Sequence, residues 1–349
     1  MRVVWVTGGA GFIGSAFLLR SLPHRDERFV NVDKLTYAGN AMSLESIASS
    51  PRYRLAQVDI GDAAALDRLA AEEPPDVIVH LAAESHVDRS ILGPREFVRT
   101  NVEGTFNLLE LARKQWKGRT DVVFHHVSTD EVYGSLGAEG HFVETTRYDP
   151  SSPYSATKAA SDHLVRAWSR TYRLPVKITN CSNNYGPRQF PEKLIPLMIR
   201  NLLARKPLPI YGKGENVRDW LYVDDHVAAI WAVIERGAVG ETYNIGGNQE
   251  MRNIDVVDTL CRVVGELTNT SVEELRALRT FVTDRPGHDL RYAIDASRVK
   301  AECGWSPSET FASGIEKTVR WYLENPAWVR AIETGEYTKW LDANYGARA

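Results

Sequence analysis

With 349 residues and 43% hydrophobic content, the chain can bury a sizeable core, and its length favours two intimate lobes over one small domain. Lys+Arg 42 against Asp+Glu 45 leaves a net charge of −3, without the basic excess that marks a nucleic-acid footprint, so a small-molecule partner is expected instead. No apolar run approaches the roughly 20 residues needed to span a bilayer, and the first residues enter a strand pattern without a charged leader, so the expectation is a soluble, cytoplasmic protein with no membrane partner.

Residues 2–7 form a short β-rich run that ends on glycines, and a helical pattern over 12–22 follows at once. The alternation continues with strand patterns at 29–33, 53–58, 77–81 and 122–127, helical segments near 62–72, 99–115 and 154–172, and a further strand at 176–179. Repeated strand–helix units predict an α/β fold with a Rossmann-like, doubly wound parallel sheet covered on both faces. After residue 182 the texture turns loop-rich, with Asn183-Asn184-Tyr185-Gly186-Pro187 and then Pro191, Pro196, Pro207 and Pro209, and here a smaller, mixed, substrate-binding C-terminal lobe is expected to begin. The predicted division is 1–182 for the cofactor domain, with parts of 220–247 returning to it, 183–219 and 248–330 for the second lobe, and 331–349 as a C-terminal extension. Cys181, Cys261 and Cys303 make no Cys-x-x-Cys pair, so they are read as buried free thiols of a reducing compartment. His80, His125 and His126 lie on or beside apolar strands and are read as packed side chains, with no metal site.

Gly8-Gly9-Ala10-Gly11-Phe12-Ile13-Gly14 places glycines at three-residue intervals between a strand and a helix. Such glycines allow a tight turn, backbone approach to a pyrophosphate, and close helix–strand packing. Asp33 follows about 20 residues later at the end of the second strand, where a carboxylate accepts from both ribose hydroxyls and repels a 2′-phosphate, so the cofactor is read as NAD rather than NADP. Asp59-Ile60, ending the third strand, should lie beside the adenine.

Thr129-Asp130-Glu131 ends an apolar run and precedes Tyr154 and Lys158, which stand four apart behind the helix-start signal Ser151-Ser152-Pro153 and so share a helical face. There the ammonium of Lys158 can lower the phenol pKa of Tyr154. A tyrosinate with lysine takes a proton from an alcohol while a hydride leaves for a nicotinamide, and an adjacent acid and base can then expel water from the ketone formed. A nucleotide-sugar epimerase or plain dehydrogenase would share the glycine loop, Asp33, Tyr154 and Lys158 without needing Asp130 and Glu131 as an acid/base pair. A non-catalytic nucleotide sensor would need neither Tyr154 nor Lys158.

The chain resembles the extended short-chain dehydrogenase/reductase family in residues 7–14, in Leu81-Ala82-Ala83 and in Tyr154/Lys158. Within it the resemblance is to the dTDP-glucose 4,6-dehydratases, carried by residues 33–40, 84–90, 128–134, 180–187, 190–196, 218–226 and 284–289 over nearly the whole chain. It implies catalysis by Thr129, Asp130, Glu131, Tyr154 and Lys158: Tyr154, helped by Thr129 and Lys158, deprotonates the sugar 4-hydroxyl, Glu131 is the base at C5, and Asp130 protonates the departing C6 hydroxyl. It implies NAD contacts from Gly8, Gly11, Phe12, Ile13, Gly14, Asp33, Lys34, Thr36, Asp59, Ile60, Leu81, Ala82, Ala83, Thr100, Tyr154, Lys158 and Asn183. For the substrate, dTDP-glucose, it implies Ser85, Thr129, Asn183, Lys193, Leu194, Pro209, Tyr211, Arg218, Asn253, Arg285, His288 and Tyr292, with Arg218 and Arg285 on the diphosphate. Members commonly dimerise through two helices of each subunit, which implies a homodimer using the segments near 99–115 and 154–172. The first of these carries Val98, Val102, Phe106, Leu109 and Ala112 as an apolar stripe that faces either a partner or the sheet.

Overall fold

The computed structural model describes residues 1–332, so nearly all of the extension expected over 331–349 lies outside the described residues. Runs such as Val77–His80 and Val123–Thr129 are buried at every position, as a sheet covered on both faces requires. The main sheet comprises β1 (Val3–Thr7), β2 (Arg28–Val32), β3 (Tyr53–Ala56), β4 (Val77–His80), β5 (Val123–Thr129), β6 (Val176–Cys181) and β10 (Thr242–Ile245). These seven strands are all parallel and run β3-β2-β1-β4-β5-β6-β10. Chain order reverses between β1 and β4, which opens a crevice at the carboxyl ends of the strands.

Helices Phe12–Ser21 and Val223–Arg236 cover one face, where Phe17 stacks on Trp231 with ring centres 5.1 Å apart. Helices Ala63–Glu72, Gly104–Gln115 and Pro153–Tyr172 cover the other through Leu66, Leu108 and Val165. Beyond β6 the chain forms a mixed three-stranded sheet. In it β9 (Val217–Tyr222) lies parallel to β7 (Asn183–Tyr185) and antiparallel to β11 (Glu250–Arg252). A two-stranded parallel pair of β8 (Leu208–Tyr211) and β12 (Arg279–Val282) lies in the same half of the sequence. This region packs its own core around Tyr185, Met198, Leu260 and Ile315. Of the stretch expected to return, 220–222 completes β9 in the small sheet, whereas helix Val223–Arg236 and β10 rejoin the large one.

The stripe expected on 99–115 is broken. A π-helical turn, Val98–Glu103, precedes helix Gly104–Gln115, and its extra residue per turn rotates the positions on either side out of phase. Within helix Gly104–Gln115, Leu109 and Ala112 are buried against the sheet while Phe106 is 43% exposed; Val98, at the start of the π turn, is 45% exposed. All three cysteines are free and buried. Among the described residues no helix is long and apolar enough to cross a membrane.

Candidate active site

The crevice holds a cavity of about 300 Å3 that joins the two halves of the expected site. At one end the turn after β1 comes close to backbone: Gly8 has φ +70°, and a Cβ there would lie 2.8 Å from Ala82 Cα. A Cβ on Gly14 would lie 2.6 Å from Gly9 Cα, so any side chain would push the helix off the turn. Asp33 is held at the end of β2 by the Ala10 N–H, donating at 2.9 Å, and the Leu35 N–H, donating at 2.8 Å. Burial still pushes its pKa up. Every residue expected to contact the cofactor, from Gly8 and Asp33 through Asp59, Leu81 and Thr100 to Asn183, lines this cavity. A glycine-lined turn opening onto a helix N-terminus, with a buried carboxylate beside it at the end of the neighbouring strand, fits a dinucleotide.

The other end holds the residues expected to act in catalysis. Thr129 closes β5 and its hydroxyl accepts from the Glu131 N–H at 3.3 Å, capping the 3-10 turn Asp130–Tyr133 and turning both carboxylates into the crevice wall. Opposite, Ser152 and Ser155 form a capping box with Pro153 at the first helical position, so Tyr154 and Lys158 occupy the first turns of helix Pro153–Tyr172. All five expected catalytic residues line the cavity.

Two neighbouring carboxyls are driven apart electrostatically. Burial, and after it the charges of Glu131 and Asp219, push Asp130 well above the usual carboxylate range, which favours its protonated form. Glu131 is raised by burial too, while the charges of Arg285, Lys193 and Arg218 oppose that rise. Two adjacent carboxyls whose surroundings differ in this way are suited to act as an acid and a base. Burial drives the Tyr154 phenol well up, the charge of Glu131 adds to this, and the hydrogen bond with Thr129 opposes it. Lys158 donates to the Val127 carbonyl at 2.9 Å.

The substrate residues divide. Ser85, Thr129, Asn183 and Lys193 line the cavity, and the Lys193 ammonium donates to the Ser85 carbonyl at 2.7 Å. Leu194, Pro209, Tyr211, Arg218, Asn253, Arg285, His288 and Tyr292 are not in its lining. Several of these form a polar layer from the second lobe. Tyr211 donates to Asp88 at 2.9 Å, Arg285 stands 3.8 Å from the same carboxylate, and Arg218 lies over the Tyr292 ring at 4.2 Å. Asn253 starts helix Asn253–Thr268 and its buried Oδ1 has no hydrogen-bond partner among the described residues.

Sequence reasoning overlooked three groups. Asn101 sits in the π turn and binds Glu84 through both backbone groups and Thr157 through its hydroxyl; nothing in helical periodicity marks it. Glu192 lines the cavity with its pKa pushed to about 7 by burial, 3.4 Å from Arg89. Its place in Pro191-Glu192-Lys193 was a signal, but only the lysine was singled out. Asp219 accepts from Gly247 and Gln249 N–H groups and reaches Asp130 electrostatically. The histidines pack as expected: His80 bridges Thr7 and Thr105 at 2.8 and 2.9 Å, and His125 meets Thr179 at 3.2 Å.

The sequence pattern of the family described as GDP-mannose 4,6 dehydratase matches residues 5–318. The chain belongs to this dehydratase family. The dehydratase-family chain is 55% identical over 359 aligned residues to the dTDP-glucose 4,6-dehydratase of Shigella flexneri, covering 99% of both. A crystal structure of the dTDP-glucose 4,6-dehydratase DesIV from Streptomyces venezuelae, with NAD and TYD bound, superposes with a TM-score of 0.89 at 44% identity, over 95% of this chain and 100% of that one. A UDP-glucose 4-epimerase structure from Thermotoga maritima superposes at 0.83 with 27% identity, over 93% and 100%. The fold is thus shared with epimerases, while high identity is found with dehydratases.

Proposed function

We propose that this protein is an NAD-dependent dTDP-glucose 4,6-dehydratase, converting dTDP-glucose to dTDP-4-keto-6-deoxyglucose and water. The observation that carries the reading is the adjacent carboxyl pair Asp130 and Glu131, lining one cavity with Tyr154, Lys158 and the glycine turn. An epimerase has no use for such a pair. Full-length identity to named dTDP-glucose dehydratases supports the substrate over a GDP- or UDP-linked sugar.

Bound NAD supplies the acceptor for the C4 hydride and gives that hydride back at C6. Tyr154, acting as a tyrosinate with the Lys158 ammonium one turn along the same helix, takes the proton of the sugar 4-hydroxyl, with Thr129 steering the C4 oxygen. The 4-ketone acidifies the C5 proton, which Glu131 removes. Asp130 gives its proton to the C6 hydroxyl, which leaves as water, and Glu131 returns its proton to C5. Hydride lost at C4 equals hydride gained at C6, and the proton gained by Tyr154 equals the one given up by Asp130, so once both side chains exchange protons with solvent the only net change is the loss of water. Arg218, Arg285 and Lys193, which surround Glu131 electrostatically, are the cations placed to meet the diphosphate and the sugar.

Substrate deuterated at C4 is expected to yield product deuterated at C6 with no net NAD reduction. Mass spectrometry of the product decides it, and label washed into water would contradict the mechanism. Cofactor selectivity should follow Asp33. Lys34 lies 3.6 Å and Arg99 3.9 Å from the Asp59 carboxylate, so neither cation is free to offset a 2′-phosphate facing Asp33. NAD is expected to bind about tenfold or more tightly than NADP in calorimetry; comparable affinities would remove Asp33 from this role.

We also infer a cytoplasmic homodimer. Exposed Phe106 meets Trp168 edge-on at 5.7 Å and Trp168 meets Tyr172 at 5.5 Å, an aromatic strip across the outer faces of helices Gly104–Gln115 and Pro153–Tyr172. Buried free thiols suit a reducing compartment. At micromolar concentration sedimentation should give a dimer, and Phe106→Asp should shift it to monomer with lower turnover. A fully active wild-type monomer would refute the coupling, and recovery in the periplasmic fraction would refute the location.

A further inference from the structure

Behind the catalytic strand lies a buried carboxylate that the proposed chemistry leaves unused. Asp162 is fully buried, one turn beyond Lys158 on the same face of helix Pro153–Tyr172. Its Oδ2 accepts from Ser128 Oγ at 2.9 Å and from the Tyr148 hydroxyl at 2.7 Å. Asn180 Nδ2, 3.5 Å from the same oxygen, donates to the Thr129 carbonyl at 3.0 Å. The carboxylate therefore holds, directly or through one side chain, the last two residues of β5.

A buried carboxylate needs a counter-charge. His126 Nε2 stands 3.1 Å from Asp162 Oδ1, yet neither atom has an aligned hydrogen-bond partner, and burial depresses the imidazole to about 4. At neutral pH this histidine is uncharged. The cations facing Asp162 are Lys158 on its own helix and Arg166 one turn on, whose guanidinium donates to Tyr148 Oη at 2.7 Å. Lys158 is buried as deeply, with the Val127 carbonyl of β5, Cys181 of β6 and the imidazoles of His80 and His126 as its other polar neighbours. Burial lowers its pKa, and the charge of Asp162 is the first influence raising it again.

We propose that Asp162 is a positioning residue for the reaction: it is the counter-charge of the Lys158 ammonium and clamps the Ser128–Thr129 end of β5 to the helix that carries Tyr154. The inference rests on the reading that Tyr154, Thr129 and Lys158 act on the C4 hydroxyl. Without Asp162 the ammonium would lose its proton at lower pH, and Thr129 would lose the clamp that sets its distance to Tyr154.

The test compares wild type, Asp162→Asn and Tyr148→Phe as NAD-loaded enzymes turning over dTDP-glucose across pH. Asparagine keeps the shape of the site and removes its charge. Its kcat should fall about tenfold or more, with affinity for thymidine diphosphate within about twofold of wild type, well inside 1 kcal/mol. The alkaline limb of kcat/KM should move down by about one pH unit, a tenfold weaker hold on the Lys158 proton. Tyr148→Phe removes the donor that draws on Asp162 and leaves more of its charge to Lys158, so its alkaline limb should move up. If Asp162→Asn does not fold, Tyr148→Phe decides alone. Wild-type kcat in Asp162→Asn, a loss of kcat with the limb unmoved, or an unchanged or lowered limb in Tyr148→Phe each overturns the proposal. Failure of wild type to dehydrate dTDP-glucose overturns the function reading instead.

Discussion

Turnover of dTDP-glucose is expected to fall by roughly 10²–10⁴-fold when Tyr154 is replaced by phenylalanine, the range a positioned acid–base group contributes. The substitution removes one oxygen and keeps the ring, which packs edge-on against Phe97 at 6.4 Å, so the fold should be unchanged. What disappears is the acceptor for the C4 hydroxyl proton and the hydrogen-bond partner of Thr129. Because the ketone must exist before C5 becomes acidic, loss of this first step also silences everything after it. Stopped-flow absorbance should show no reduced nicotinamide in the first turnover, and solvent deuterium should not enter C5. A variant within threefold of wild type in the oxidation step would take Tyr154 out of the mechanism.

Glu131→Gln should stop the reaction one step later, with an overall loss of similar size, about 10²–10⁴-fold. Glutamine has the same shape but cannot accept the C5 proton. Tyr154 and Thr129 are untouched, so reduced nicotinamide should form on mixing and then persist, while C5 exchange is abolished. Asp130→Asn makes the complementary block: Glu131 still exchanges the C5 proton, but the C6 hydroxyl leaves without a proton donor and water loss slows. Rapid-quench mass spectrometry separates the two cases by deuterium at C5. Exchange at the wild-type rate in Glu131→Gln would assign the base to another group. The division follows from geometry, since the same turn that exposes Glu131 to three cations places Asp130 against Asp219.

The parallel sheet, the glycine turn, Asp33 and the Tyr154/Lys158 face were all legible in the sequence, because each rests on spacing within one strand–turn–helix unit. The stripe from Val98 to Ala112 divides between the two readings the sequence left open, Leu109 and Ala112 facing the sheet and Val98 and Phe106 exposed, and no residue type announces the π turn at its start. Asp162 was invisible for a different reason. Read alone it is an ordinary helix aspartate, and only the arrival of Ser128, Asn180 and Tyr148 from other segments makes it a hub.

By itself, then, the sequence determined which residues can do chemistry and which family they belong to, since motif spacing along the chain is enough to place a cofactor turn and a proton-transfer pair. Only the tertiary structure decided which charges surround them. Asp130 and Glu131 are adjacent and chemically alike, and apart from the family resemblance nothing in their order distinguishes acid from base. Burial raises both, and groups brought from far along the chain then separate them: Asp219 on β9 raises Asp130 further, while Arg285, Lys193 and Arg218 oppose the rise of Glu131. Charge interactions act through space, so their sign at a site is a property of the fold.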